Sequence, residues 1–456
     1  EGVLELLRAH GLGDGAFWQW VGINGLNNPY NSTHWYPTDN WWWWRATRVI
    51  GATVDGRSLD YTITEFPFFS FLLGDLHPHV MALPFVFLAL ALSLNLLLTG
   101  VTPGYAILRG RPFHLLGTAL CLGSLGFINS WDYPTYTLVF LGSGLLCWLS
   151  LQRGFAARSL INFLGWAAGV VTVSLLLYAP FYWNTGLGLL AVLTPGGNGS
   201  DHLSKLPIAL WSGPYTRPFH FLLIWALFFF LTGSYIFHRA ISRYRHKIIA
   251  VAAGVSLLIL WMAVEWGLSA NPQGSEALLL TLAQRGWLLA PLLAIGVTIL
   301  SRADGRVEGH ASPDGPNEAP NVFVGLLIAL ALVLFLLCET VFLRDVFGNR
   351  MNTVFKLYYQ AWVLLAVASA FALYYVISWD WGISVAQSLF GKSAWLGIGA
   401  LLVVGAAIYP VASVRDRTGA FRSATTLDGL DYVSRSDPAE AAAIAWIAAN
   451  VGCPRS

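Results

Sequence analysis

Charge is what this sequence has least of. Asp, Glu, Lys and Arg make up 11% of its 456 residues, against 56% hydrophobic residues. A soluble domain carries about 25% charged residues, so this composition excludes an ordinary soluble fold and points to an all-α integral membrane protein. The formal charge of +2 is too small to attract nucleic acid. Cysteine is scarce too. Cys121, Cys147 and Cys338 sit in apolar runs and Cys453 near the end, without metal-ligand spacing. Buried small hydrophobes are the simplest account of them. No GxGxxG, P-loop, HExxH, CxxC or nucleophile elbow is present, so nothing supports ATPase, dehydrogenase or haem chemistry. The chain does not begin with Met and shows no signal peptide, and it reads as a piece of a longer protein.

Aromatic residues are abundant, with 21 Trp among them. They suit interfacial belts and aromatic-lined grooves. Residues 1–77 read as an outer loop with interfacial and amphipathic segments, where Leu4, Leu6 and Leu7 interleave with Glu5, Arg8 and His10. Trp41 to Trp44 form a run of four tryptophans followed by Arg45, with Arg48 close behind. The run fits a headgroup-level anchor with both arginines facing phosphates, or a stacking platform for sugar rings or lipid.

From residue 78 to 412 the chain reads as about ten transmembrane helices. The expected spans are 78–99, 113–129, 134–151, 160–181, 218–238, 248–267, 277–300, 321–342, 354–377 and 394–412. The second and third are short and meet at Ser130-Trp131-Asp132-Tyr133-Pro134, as a broken or re-entrant pair would. Lys and Arg concentrate in alternate loops, at Arg109 and Arg111, Arg153 and Arg158, Arg239 to Lys247, Arg302 and Arg306, and Lys392. The positive-inside rule assigns these loops to the cytoplasm and the others to the outside. Residues 413–456 then read as the start of an outer soluble domain. Ser436-Asp437-Pro438 is a capped helix start, and Ile444, Trp446 and Ile447 lie on the amphipathic helix that follows.

Three polar constellations fall on the outer side. The first is Glu65, Asp75, His77 and His79, in an apolar, proline-punctuated stretch before a membrane helix. Asp75 or His77 can cap that helix, with Pro78 in its first turn. Carboxylates and imidazoles together can hold a divalent metal such as Mg or Mn, with Asp75, His77 and His79 as ligands, or exchange a proton. They can also form a hydrogen-bonded knot that positions two loops. The second is Asp132 between Trp131 and Tyr133, a helix cap or a substrate-facing acid. The third runs from Glu339 through Asp345, Arg350 and Asn352 to Lys356, ahead of Tyr358-Tyr359-Gln360. Arg350 and Lys356 can meet a phosphate, or pair with Glu339 and Asp345. Asp201, His202, Lys205 and Glu265 read as solvated or capping residues.

Several of these segments resemble one family. Glu65-Phe66-Pro67, Phe69-Ser70-Phe71 and Gly74-Asp75-Leu76-His77-Pro78-His79 look like the signature of the YYY membrane proteins, a polytopic family of Chloroflexi-type bacteria and archaea. Ser130 to Thr135 and Arg350 to Lys356 resemble it as well. That family is similar to GT-C glycosyltransferases, and the tail segment Ala443 to Asn450 resembles the first helix after the membrane region in such enzymes. The resemblance implies a GT-C-like membrane protein that transfers a sugar from a polyprenyl-phosphate carrier on the extracytoplasmic face of the cell membrane. Asp75, Glu65 and Asp132 would then be catalytic acids, and His77 and His79 metal ligands with Asp75. Arg350 and Lys356 would hold the donor phosphate, with Asn352 and Glu339 beside them and Trp35, Trp41 and Trp131 stacking on sugar or isoprenoid. The family's acidic first outer loop and its tyrosine triplet have no counterpart in this sequence, so the catalytic acid that loop supplies is not carried over. Two rival expectations stand beside the enzyme. One is an accessory subunit contacting lipids and membrane-complex partners; the other is a transporter, since intramembrane acids also mark ion pathways.

Overall fold

The structure is a computed structural model. It describes residues 1–26, 30–54, 57–74, 76–151, 156–184, 208–211, 214–243, 319–345, 347–378, 385–422, 426, 428 and 431–451. The chain divides into two compact units, Glu1–Tyr409 and Pro410–Ser456.

The first unit opens with helices α1 (Gly2–Ala9) and α2 (Gly15–Val21). Asp14 caps α2 by accepting from the Phe17 amide, and Gly22 ends it at φ 65°, the left-handed conformation that glycine adopts without strain. Leu4, Trp18, Val21, Ile23, Leu26 and Val49 bury a small apolar core between them. The charges interleaved along α1 are buried rather than solvated. Arg45 donates to both carboxylate oxygens of Glu5 and to Asp39, which also binds Arg8 at 2.5 Å. Burial works against ionisation of Asp39, but Arg45 and Arg8 outweigh it and hold the carboxyl below its usual range.

This network corrects the reading of the tryptophan run as an anchor with its arginines facing phosphates. Trp42 and Trp43 are buried within a 3-10 helix, Trp42–Thr47, and pack against Tyr409 and Phe69. Arg45 turns inward to its carboxylates, while Arg48 lies over Trp44 and donates to the Tyr61 hydroxyl. Trp41 remains exposed and stacks on Trp43. An antiparallel hairpin follows, β1 (Gly51–Val54) and β2 (Arg57–Tyr61), with Gly51 opposite Tyr61. Two short helices, α3 (Pro67–Leu73) and α4 (Pro78–Met81), lead into the bundle, and His77 stands at the amino-terminal cap of α4.

The bundle comprises α5 (Leu83–Thr99), α6 (Tyr105–Gly110), α7 (Pro112–Ile128), α8 (Asp132–Leu151), α9 (Ala157–Leu177), α10 (Ala179–Asn184), α11 (Pro218–Arg243), α12 (Ala319–Thr340), α13 (Met351–Ser378) and α14 (Val385–Arg417). Among the described residues, α8, α9, α11, α12, α13 and α14 are long and apolar enough to cross a membrane, and α5 and α7 are shorter apolar helices. The span expected at 78–99 is divided, because the chain turns at Ala82 between α4 and α5 and Pro84 sits in the first turn of α5. The expected spans 248–267 and 277–300 lie outside the described residues, as do Asp201, His202, Lys205 and Glu265.

Helix α12 packs along α13, α5 along α8, α11 along α13, and α7 along α9. Lipid tails are as apolar as leucine, so close packing of small residues holds such helices together. Ala331, Ala361, Ala368 and Ala372 are fully buried among Leu327, Phe335, Leu364 and Leu365. The Cys121, Cys147 and Cys338 thiols are free and buried. Contacts put the starts of α5, α8, α11 and α13 and the ends of α7, α9 and α12 at one end of the bundle. There β3 (Ile208–Leu210) pairs antiparallel with β4 (Val341–Leu343), which follows α12 directly.

In the second unit, α15 (Asp431–Ser436) carries an Arg435–Asp431 ion pair. Asp437 then caps α16 (Pro438–Asn450) by accepting from the Ala439 and Glu440 amides. Ile444, Trp446 and Ile447 of α16 are exposed.

Two glycines on α7 test the packing. A Cβ on Gly123 would sit 2.5 Å from the Ser174 carbonyl oxygen, whereas one on Gly117 would meet nothing within 4 Å. Gly123→Ala should destabilise the detergent-solubilised protein by about 1–3 kcal/mol, and Gly117→Ala should not lower its thermal midpoint.

A candidate polar site at the start of helix α13

Helix α13 carries polar residues at positions that share a face only in a helix. Lys356, Tyr359 and Gln360 fall at i, i+3 and i+4, one stripe. Arg350, just before the helix, and Tyr358 turn toward α12 instead. The two stripes build two different polar centres.

The centre facing α12 is sealed. Arg350 is fully buried and pairs with Asp60 at 2.6 Å and Glu339 at 2.9 Å. It also donates to the Cys338 carbonyl and the Thr216 hydroxyl, and lies over the Trp211 ring. Glu339 accepts from both the hydroxyl and the amide of Thr216. Burial opposes the arginine charge, but Glu339 and Asp60 outweigh it and hold the guanidinium above its usual range. These contacts tie together β2, residues 214–217, the end of α12 and the start of α13. Arg350 therefore has its donors committed inside the protein. Asp345 does not join it, and accepts instead from the Phe347 amide in its own turn.

The second centre is more open. Asp132, at the first position of α8, accepts from the Gln360 amide at 3.0 Å. Gln360 also donates to the Trp131 carbonyl at 2.7 Å and accepts from Thr135 at 2.5 Å, so the whole carboxamide is fixed. One turn back along α13, the Lys356 ammonium lies 4.2 Å from the centre of the Phe355 ring and feels the charges of Asp132 and Glu65. Among the described residues it has no hydrogen bond and no ion pair of contact length. His79 stands against the same stripe, its ring 4.4 Å from Tyr359 and 5.0 Å from Phe355. Its Nε2 is 3.5 Å from the Ser70 hydroxyl and 4.0 Å from Glu65. Burial, aided by Lys356 and His77, pushes the His79 imidazole down to about 3, so it is neutral at physiological pH.

All three polar constellations of the sequence thus contribute to this centre: Glu65 and His79 from the first, Asp132 and Trp131 from the second, Lys356 from the third. His77 is exposed, its ring 5.0 Å from that of His79. Asn352 lies half-buried in the first turn of α13. Trp35 is exposed and packs on Tyr36, and Trp41 packs on Trp43 and Trp44, both of which contact Phe69. Asp75 lies outside the described residues. Among the described residues no three His, Cys, Asp or Glu side chains gather as metal ligands.

Residues 2–365 match a family model described as an uncharacterized membrane protein, DUF2298. The chain belongs to that family. Neither a curated protein nor a solved structure matches it. The match includes every residue of both polar centres, so this DUF2298 protein builds them from the part of the chain the family model covers.

Sequence reasoning missed Asp60, Thr216 and the role of Gln360. The 356, 359, 360 spacing carried the signal for Gln360. Asp60 showed only as a lone acid in a short alternating segment, and Thr216 by nothing.

Two outcomes follow. Arg350→Ala would leave Asp60 and Glu339 buried and unpaired, and should cost about 3–5 kcal/mol of stability in denaturant titration; Lys356→Ala should cost far less. Because His79 binds a proton less readily folded than unfolded, it should lower stability as pH falls from about 6.5 toward 3. The pH dependence of thermal unfolding should flatten in His79→Asn.

Proposed function

We propose that this protein is a GT-C-like membrane transferase that takes a sugar from a polyprenyl-phosphate donor at the extracytoplasmic face. The observation that carries the reading is the second polar centre: Lys356, a cation that among the described residues makes no hydrogen bond or contact ion pair, in the field of Asp132 and Glu65 at the end of an apolar bundle. A phosphate on a lipid needs such a cation at the level of helix ends, and glycosyl transfer needs a carboxylate beside it.

In this reading Lys356 holds the donor phosphate. Asp132, oriented by Gln360, takes the proton of the acceptor hydroxyl. The acceptor oxygen bonds to the anomeric carbon as the bond from that carbon to the phosphate oxygen breaks, and the electron pair leaves with the phosphate. Lys356 stabilises the charge that develops there. Arg350, which the sequence suggested as a second phosphate ligand, instead braces the site from the α12 side. A divalent metal held through His77, His79 and Asp75 would add Lewis acidity at this centre.

The test is transfer of radiolabelled sugar from a polyprenyl-phosphate donor by protein in proteoliposomes. Lys356→Ala and Asp132→Asn should each lower the rate at least about 100-fold, the scale of a lost general base or charge-stabilising donor. Wild-type rates in both variants would overturn the reading.

A further inference from the structure

Helix α3 has two unlike faces. Its inner face packs Phe69 against Trp43 and Trp44 and turns Ser70 toward His79. Its outer face carries Phe71, 65% exposed, and the turn that follows carries Leu76, 78% exposed. Met81 of α4 and Phe85 and Leu88 of α5 are exposed as well. Single exposed apolar residues are ordinary, but a succession of large ones marks an interaction surface.

Charge, length, backbone and continuity identify lipid as what covers this surface. From Phe66 to Leu108 the sequence holds one Asp, Asp75, and no Glu, Lys or Arg. Helix α5 has 17 residues. They make about 26 Å of helix, short of a hydrocarbon core of about 30 Å. The chain leaves α5 at Gly100 for a turn with Thr102, Pro103 and Gly104, whereas at its start the apolar surface goes on into Met81 and Leu76. Lipid tolerates only backbone whose polar groups are satisfied. The Gly74 amide donates to the Ser70 carbonyl, those of Val80 and Met81 to His77, and that of Ala82 to Pro78. Pro67, Pro78 and Pro84 have no N–H to satisfy. The exposed residues also lead along the chain into Phe85 and Leu88, on the outside of a membrane bundle.

We infer that the elbow formed by α3 and α4 is immersed in the membrane boundary, with Phe71, Leu76 and Met81 against lipid acyl chains as an extension of the lipid-facing surface of α5. Ser70 and His79 belong to the same elbow, so the Lys356 centre stands at the depth of lipid headgroups. This placement does not depend on the transfer reaction proposed above.

The experiment puts single nitroxide labels on the full chain in phosphatidylcholine nanodiscs, at Phe71→Cys, Leu76→Cys, Leu401→Cys and Gln19→Cys in a Cys453→Ser background. The thiols of Cys121, Cys147 and Cys338 are buried. Leu401 and Gln19 are exposed references, the first on membrane-length α14 and the second on α2. Power saturation compares collisions with oxygen, which concentrates in the bilayer, and with a nickel chelate, which stays in water. Labels 71 and 76 should collide with oxygen more than with the chelate, the order expected at 401; label 19 should show the reverse. Chelate collisions exceeding those of oxygen at either 71 or 76 would put the elbow in water and overturn the inference. Weak collision with both reagents at either position, the mark of a protein partner or a second copy, would overturn it equally.

Discussion

An ionised group surrounded by hydrocarbon is stable only when countercharge and hydrogen bonds surround it. Arg350 meets that requirement through Asp60, Thr216, Glu339 and the Cys338 carbonyl, drawn from three separate parts of the chain. The hairpin strand β2 is short, and residues 214–217 have no regular structure. The arginine gives them one common partner at the mouth of the bundle. The Glu5, Asp39, Arg8 and Arg45 network does the same for α1 and the 3-10 helix. Burying these charges adds little net stability, because desolvation offsets most of the attraction. It does enforce one arrangement, since every alternative leaves a charge unpaired.

The same helix that receives this brace carries the groups proposed to act on substrate. Lys356, Tyr359 and Gln360 are rigid with respect to Arg350 because they share a backbone hydrogen-bond ladder. Gln360 spends both ends of its amide on α8, and so fixes α8 against α13 at Asp132. Among the described residues Lys356 makes no hydrogen bond and no contact ion pair, and lies beside the Phe355 ring instead. One centre is satisfied and closed; the other has capacity to spare. That contrast separates scaffold from candidate site more sharply than residue type does, since both centres hold a cation and two carboxylates.

Much of the bundle was legible from hydropathy. Six expected spans, from 134–151 to 394–412, fall on described helices long and apolar enough to cross a membrane, because the requirement for a run of about 20 apolar residues is severe, whereas 78–99 and 113–129 fall on shorter ones. The capped start at Asp437 was legible for a similarly local reason. The polar groups were legible as a set but not in their roles. Arg350 and Lys356 look alike in the linear text, and Arg350 is locked by Asp60, 290 positions away, together with Glu339 and Thr216. The tryptophan run misled because tryptophan serves equally at an interface and in a core. The choice between them was made by Tyr409 and Phe69, far apart in the chain.

The interval between Arg350 and Lys356 has a geometric consequence. Each residue added to an α-helix turns everything beyond it by about 100° and advances it by about 1.5 Å. A single insertion in the first turn of α13 would leave the arginine docked and swing the lysine stripe away from Asp132. A single deletion would swing it the opposite way. The length of this short stretch is therefore as binding as its chemistry, because one added or lost residue re-aims every side chain beyond it.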